Sequence, residues 1–382
     1  MMATAMAESA PQPAEATARE ARARRYARAG RRLALAGWAL DAALVILLLV
    51  TGWTKALRDL SLAVSPHPAL ALLVYLLVVG ALLEAIGLPL GFCSEFVIER
   101  KYGLSRMTIG AWARDQMKSL AVGAALGAAA AELFYWALAR HPATWWLWVA
   151  AALALFVVLM AQLGPVLLLP LFYKFRPIEN PELAERLRRL AARAGARVTT
   201  VLEWKLGERT SKANAVFAGW GATRRILLAD TLLERHTPEE IETVVAHELG
   251  HYAHGDIPMA IALQSALTFL SLWVVNAVLV WATPRLDYRG LADFANLPLV
   301  LLAVTAVSLL ALPLVNLYSR WRERRADRYA LALTANRAAF ISAMRKLAEL
   351  NLVETQPSPV LEFLFHGHPS IAKRIAAAEQ AH

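Results

Sequence analysis

Cysteine occurs once in 382 residues, at position 93. A single thiol excludes an intramolecular disulfide framework and leaves Cys93 without a cysteine partner for a metal site. Its expected role is that of a small buried apolar residue. Charge is also scarce: 18% of the residues are charged and 58% are hydrophobic. That balance excludes an ordinary soluble domain. A cleavable leader is not recognisable. Residues 1–32 precede the first apolar run without a short hydrophobic core or a small-residue cleavage site, so that run is expected to be a first transmembrane helix. No internal repeat is visible, which sets repeat architectures aside.

What is present is a set of long apolar runs, at 33–53, 69–92, 119–138, 145–172, 257–282 and 296–318. Each reaches the roughly 20 residues that a helix needs to cross a bilayer. The net charge of +10 has a membrane explanation, so no nucleic-acid partner is expected. Arg19, Arg22, Arg24, Arg25, Arg28, Arg31 and Arg32 precede the first run. Arg100, Lys101, Arg106, Arg114 and Lys118 follow the second, and Arg320, Arg322, Arg324, Arg325 and Arg328 follow the sixth. The intervening loops carry few cations. Basic flanks stay on the cytoplasmic side, which puts both ends of the chain, and residues 174–256 and 319–382, in the cytoplasm.

Three regions follow. Residues 1–32 read as a disordered basic cytoplasmic tail, rich in Ala, Pro, Glu and Gln over 1–18. Residues 33–173 read as a membrane domain of four spans. Residues 174–382 read as a second domain, which carries the candidate site and includes the spans 257–282 and 296–318. Its soluble insert opens with an amphipathic helix near 181–195, followed by β-like runs at 198–204, 214–219 and 224–230. The next helix has a clear start: Thr237 at the N-cap, Pro238 after it and Glu240 completing a capping box.

That helix carries HELGHYAHGD, His247 to Asp256. Positions four apart share a helical face, so His247 and His251 can converge on one ion. The pattern H-E-x-x-H is that of zinc proteases. Two imidazoles supply two corners of a tetrahedron, and Glu248 can act as general base toward a zinc-activated water. The pentapeptide alone also fits a solvated helix with two surface histidines.

A third ligand is needed. In SRWRERRADRYA, Glu323 and Asp327 lie four apart on one face. They suit a carboxylate ligand and a carboxylate that orients a ligand histidine, or simple ion pairs with the adjacent arginines. The hairpin formed by the fifth and sixth spans returns Glu323 to the membrane face of His247 and His251. His254 is not needed for the ligand count and reads as a supporting or surface residue. His366, His368 and Arg374, in HGHPSIAKR, read first as a helix-capping loop. A histidine and an arginine near zinc could instead stabilise an oxyanion and bind a substrate carbonyl or carboxylate.

Taken together, these blocks resemble the type I CAAX prenyl endopeptidases, membrane zinc proteases of the gluzincin type. The likeness is carried by residues 94–119, 165–180 and 212–233, and by HELGHYAHGD, SRWRERRADRYA and HPSIAKR. It implies one zinc ion per chain, held by His247, His251 and Glu323, with Glu248 as base and Asp327 in support. It implies that Asn214 and Ala215 bind substrate backbone by edge-strand pairing, and that His368 and Arg374 face the cleft. The implied fold is a mainly α membrane protein: a multi-span helical barrel around a water-filled chamber, with a small α+β cytoplasmic protease insert. Glu84 and Glu132 would then face the chamber, while Asp41 reads as a helix-end residue at the interface.

The expected function is membrane zinc endopeptidase in a bacterial inner membrane, working as a monomer. Its substrates would be peptides or membrane proteins, prenylated or not. A broad quality-control metalloprotease of the heat-shock type is the alternative within the same chemistry. A scaffold or a metal transporter is the alternative outside it. The intact Glu248 and the lack of a His or Cys pair inside the spans argue against both. Six spans are counted here, where eukaryotic relatives are commonly described with seven.

Overall fold

A computed structural model describes residues 13–219 and 224–381 of the chain. Its membrane half comprises α1 (Pro13–Val50), a short α2 (Trp53–Val64), α3 (Pro68–Gly91), α4 (Ile109–Arg140) and α5 (Trp145–Leu163). The insert follows as β1 (Phe175–Pro177), α6 (Pro181–Arg193), β2 (Thr200–Trp204), β3 (Ala215–Ala218), β4 (Arg225–Ala229), α7 (Asp230–Arg235) and α8 (Pro238–Ala253). The chain ends with α9 (Asp256–Ala282), α10 (Leu297–Thr334), α11 (Arg337–Leu350), α12 (Pro359–Phe365) and α13 (Ile371–Gln380).

Six of these helices are long and apolar enough to span a membrane: α1, α3, α4, α5, α9 and α10. Each packs on its neighbour in sequence, and α10 returns to α1, so the ring closes. The apolar stretches themselves are at most 22% buried. Helices that close a ring yet bury so little against one another form a barrel wall, not a filled bundle. Lipid, not protein, covers the outer apolar surface.

Packing concentrates at the two ends. At one end, Tyr75, Phe134, Tyr135, Trp145 and Phe294 form an aromatic plug. Buried Arg58, on α2, pairs with Asp293, and Thr54 donates to the Ala295 carbonyl at 2.6 Å. These partners satisfy polar groups that would otherwise be buried at high cost. At the other end lies the insert, where Leu187, Ile226, Leu228, Ile241, Leu249 and Phe340 form one core. Burying each such side chain contributes about 1.5–3 kcal/mol.

The insert's sheet has the order β1-β2-β4-β3, with β2 and β4 parallel and both outer pairs antiparallel. β3 is therefore an edge strand. The hydrogen bond from Ala229 N–H to the Asn214 carbonyl (3.0 Å) sets its phase. Alternation along an antiparallel pair then turns the backbone groups of Ala215 and Phe217 toward the open edge.

Three expectations need correction. Residues 13–32 are not a disordered tail but the first half of α1, while residues 1–12 lie outside the described range. Composition suggested disorder, but tertiary contacts hold the segment. Arg19 donates to the Ala348 and Val353 carbonyls, and Glu20 accepts from Thr355 Oγ1 at 2.8 Å. Cys93 is exposed, not buried. It lies on the continuation of a span, where apolar surface needs no protein cover. Asp41 lies inside α1, away from its end.

Candidate active site

α8 is buried over most of its middle, from Glu240 through Gly250, and its polar side chains Glu240, Thr243 and His247 are buried with the apolar ones. It packs on α6, α10, α11 and β3. Its start is the capping box read from the sequence: Thr237 N–H donates to Glu240 Oε2 at 2.8 Å, and Glu240 N–H donates to Thr237 Oγ1 at 3.4 Å. Close approach to α10 depends on Gly250. A Cβ there would sit 3.0 Å from the Ala326 Cα and 3.2 Å from its carbonyl oxygen. Gly250→Val should therefore cost about 1–3 kcal/mol through overpacking and draw α8 away from α10. We expect a lower unfolding midpoint and a metal content well below that of the wild type. Wild-type values for both would show that this contact does not set the helix spacing.

The close approach brings His247, His251 and Glu323 together, with ligand atoms within 4.8 Å of one another. His247 Nε2 lies 3.2 Å from Glu323 Oε2, and His251 Nε2 lies 3.4 Å from Glu323 Oε1. The far nitrogen of each ring is also engaged. His247 Nδ1 lies 2.8 Å from Asp327, and His251 Nδ1 lies 2.7 Å from Asp256. A proton on each Nδ1 leaves both Nε2 lone pairs aimed at carboxylate oxygens. Such an arrangement requires a positive charge between them.

A divalent cation fits that requirement. Separations of 3.2 and 3.4 Å match the edge of a tetrahedron with bonds near 2.0–2.1 Å, roughly 3.3 Å. Glu323 Oε2 is buried with no hydrogen-bond partner among the described residues, so it has an unmet demand that a cation would satisfy. With no cation, protons take that place. Burial pushes the His247 imidazolium down, but the carboxylates of Asp327 and Glu323 against its two nitrogens outweigh burial and bring its pKa to about 9.

Glu248 lines a cleft of about 480 Å³ beside His251, with Phe217 of β3, Tyr252 and the apolar residues Val157 and Ile261. Burial raises its carboxyl above the ordinary range. His368 Nε2 reaches to 3.4 Å from Glu323 Oε1 while its side chain stays 69% exposed. The same loop also caps a helix, since Ser370 accepts from Lys373 N–H at the start of α13. Arg374 lies deeper: its Nε donates to Asp327 at 2.8 Å, and its Nη2 is 3.4 Å from His247 Nδ1. Asn214 is exposed at the head of β3 and Ala215 is buried. His254 caps α8 through the Gly250 carbonyl at 2.7 Å and takes no part in the cluster.

Sequence reasoning missed Asp256. It is 2% exposed and begins α9, where it orients His251 and is gripped by Arg325 and Arg322. The signal was present in the last letter of HELGHYAHGD and in the arginines flanking Glu323. Their pairing needs the fold, because 66 residues separate Asp256 from Arg322.

Comparison with known proteins agrees with this geometry. Residues 177–382 match the family model for peptidase family M48. Residues 7–174 match the CAAX prenyl protease N-terminal region, described as five membrane helices. The uncharacterized metalloprotease YhfN of Bacillus subtilis is 32% identical over 350 residues, covering 90% of this chain and 82% of that protein. CAAX prenyl protease 1 of Saccharomyces cerevisiae is 32% identical over 199 residues, 52% of this chain and 44% of the yeast protein. The crystal structure of S. mikatae Ste24p superposes with a TM-score of 0.84 at 24% identity, covering 94% of this chain and 89% of that one, which establishes the shared fold. The chain belongs to peptidase family M48 and, with a CAAX prenyl protease N-terminal region before the peptidase part, is a multi-pass membrane metalloprotease of the CAAX prenyl protease type.

Proposed function

We propose that the protein is a zinc endopeptidase of a bacterial cytoplasmic membrane, with its cleft and both termini on the cytoplasmic side. His247, His251 and Glu323 would hold the zinc. The observation that carries this reading is the facing of two imidazole nitrogens onto one carboxylate beside Glu248. Two nitrogens and one oxygen form a ligand set suited to catalytic zinc. The arginines of α1 and of the end of α10 support the orientation. All groups of the site come from one chain, so a monomer suffices.

A bound zinc ion supplies a water of pKa about 7 and polarises the scissile carbonyl. The protein's own residues do the rest. Glu248 accepts a proton from the attacking water and returns it to the leaving amine. Asp327 and Asp256 keep the two imidazoles turned toward Glu323. The open edge of β3, formed by the backbone of Ala215 and Phe217 beside the exposed Asn214, aligns the substrate backbone by strand pairing. His368 donates to the carbonyl oxygen as it gains charge. Arg374 has Nε and Nη2 committed to Asp327 and offers Nη1 to a substrate carbonyl.

The substrate class follows from the yeast relative's name, CAAX prenyl protease 1: a peptide near a lipid-modified end. Cleavage of a fluorogenic farnesylated CAAX peptide by the purified protein tests it. Glu248-dependent turnover is the expected result. A zinc-replete protein that leaves this peptide intact but cuts unmodified membrane-protein segments would assign it to quality control instead.

A further inference from the structure

We infer that Asn351 is a positioning residue for the substrate edge. It acts as a side-chain stand-in for a neighbouring strand just upstream of β3. The inference rests on the reading that β3 receives the substrate backbone. Asn351 Oδ1 accepts from Ala213 N–H at 2.8 Å, and its Nδ2 donates to the Ala213 carbonyl at 3.2 Å. Both backbone groups of the residue before Asn214 are thus taken by one carboxamide. The pairing works in only one orientation of the amide, since it needs a donor and an acceptor together.

The rest of the approach to β3 is held as well. Ser211 N–H donates to the Leu104 carbonyl at 3.0 Å, and Thr231 Oγ1 donates to the Lys212 carbonyl at 2.7 Å. The Asn214 carbonyl accepts from Ala229. Lys212 Nζ reaches Glu99 at 2.8 Å and the Tyr26 hydroxyl at 3.0 Å. Among these holds only Asn351 pairs with both the donor and the acceptor of a single residue. It fixes the height and rotation at which the chain enters the edge.

Asn351 is itself fixed from behind. It ends α11, and the next residue, Leu352, adopts φ +49°, a backbone state that bulky residues rarely visit. The Leu352 side chain is buried with Ala23 of α1 and with Leu104. Arg19 and Glu20 of α1 bind the carbonyls and the threonine on either side of it. The cytoplasmic half of α1 therefore braces the turn that presents Asn351, and through it sets the substrate edge beside Glu248.

The test is binding of a fluorescein-labelled farnesylated CAAX peptide to the full-length protein carrying Glu248→Gln, read by anisotropy with and without Asn351→Ala. We expect affinity to fall roughly ten-fold, the scale of one or two lost hydrogen bonds, with unchanged metal content. The same peptide N-methylated at the amide that pairs with the edge should show no such loss. In the Glu248-intact protein, KM should rise while kcat stays within about two-fold, the pattern of lost uniform binding. Equal affinity of both proteins, or equal losses for both peptides, would overturn the inference. Should Asn351→Ala not accumulate, Asn351→Asp removes only the donor to Ala213 and carries the same expectation. Binding is read without turnover, so absent cleavage would count against the proposed activity and leave this result standing.

Discussion

Glu248→Gln is expected to keep its metal and its fold and to lose about 10²–10⁴-fold in kcat, the usual contribution of a positioned general base. The substitution preserves size, and the three residues gathered around the cation position do not include Glu248. What it removes is a proton acceptor in the cleft that contains His251 and Phe217. The amide matches the carboxyl in size, so the unfolding midpoint should stay close to that of the wild type. Metal analysis, a melting curve and turnover of the farnesylated peptide together check this. Retained turnover would sink Glu248 as the base; lost metal would recast it as part of the ligand cluster.

Glu323→Ala should act in the opposite order, on the metal first. Its two carboxylate oxygens face both Nε2 atoms. Removing them takes away the negative charge on which the cluster converges. Outer groups that orient metal ligands are worth about 10–100-fold in affinity, so a direct ligand should exceed roughly a hundred-fold. Competition with a chromophoric chelator measures this, and activity should track occupancy. Full metal content at sub-stoichiometric free zinc would reject Glu323 as a ligand. Asp256→Ala, which loosens the orientation of His251 and also releases Arg325 and Arg322, should fall between this variant and the wild type.

The parts legible in the sequence are those written at short range. Apolar runs show six spans, and the Thr237 capping box with the i,i+4 histidines shows α8. The spacing of Glu323 and Asp327, after a hairpin of two spans, foretold that they would return to His247 and His251. Three of the four strands among the described residues were marked by β-branched and apolar runs. β1 is three residues long and was too short to carry a pattern. What stayed hidden depends on partners far away in sequence. The tail-like composition of 13–32 gave no hint that Tyr26 would meet Glu99 and Lys212. Asn351 is an unremarkable letter until Ala213 lies beside it. Closure of α10 on α1 is a property of the whole ring.

That closure has a consequence for biogenesis. A chain inserted from its N-terminus brings α8 to the membrane surface before α9 and α10 exist, and domains form in that order during synthesis. His247 and His251 then wait for Glu323, which lies on the last wall of the ring. The nascent polypeptide therefore carries no complete cutting site while its own loops are still unpaired and vulnerable. On the proposed assignment of Glu323, the three candidate ligands meet only once α10, the last wall of the ring, has packed against α8.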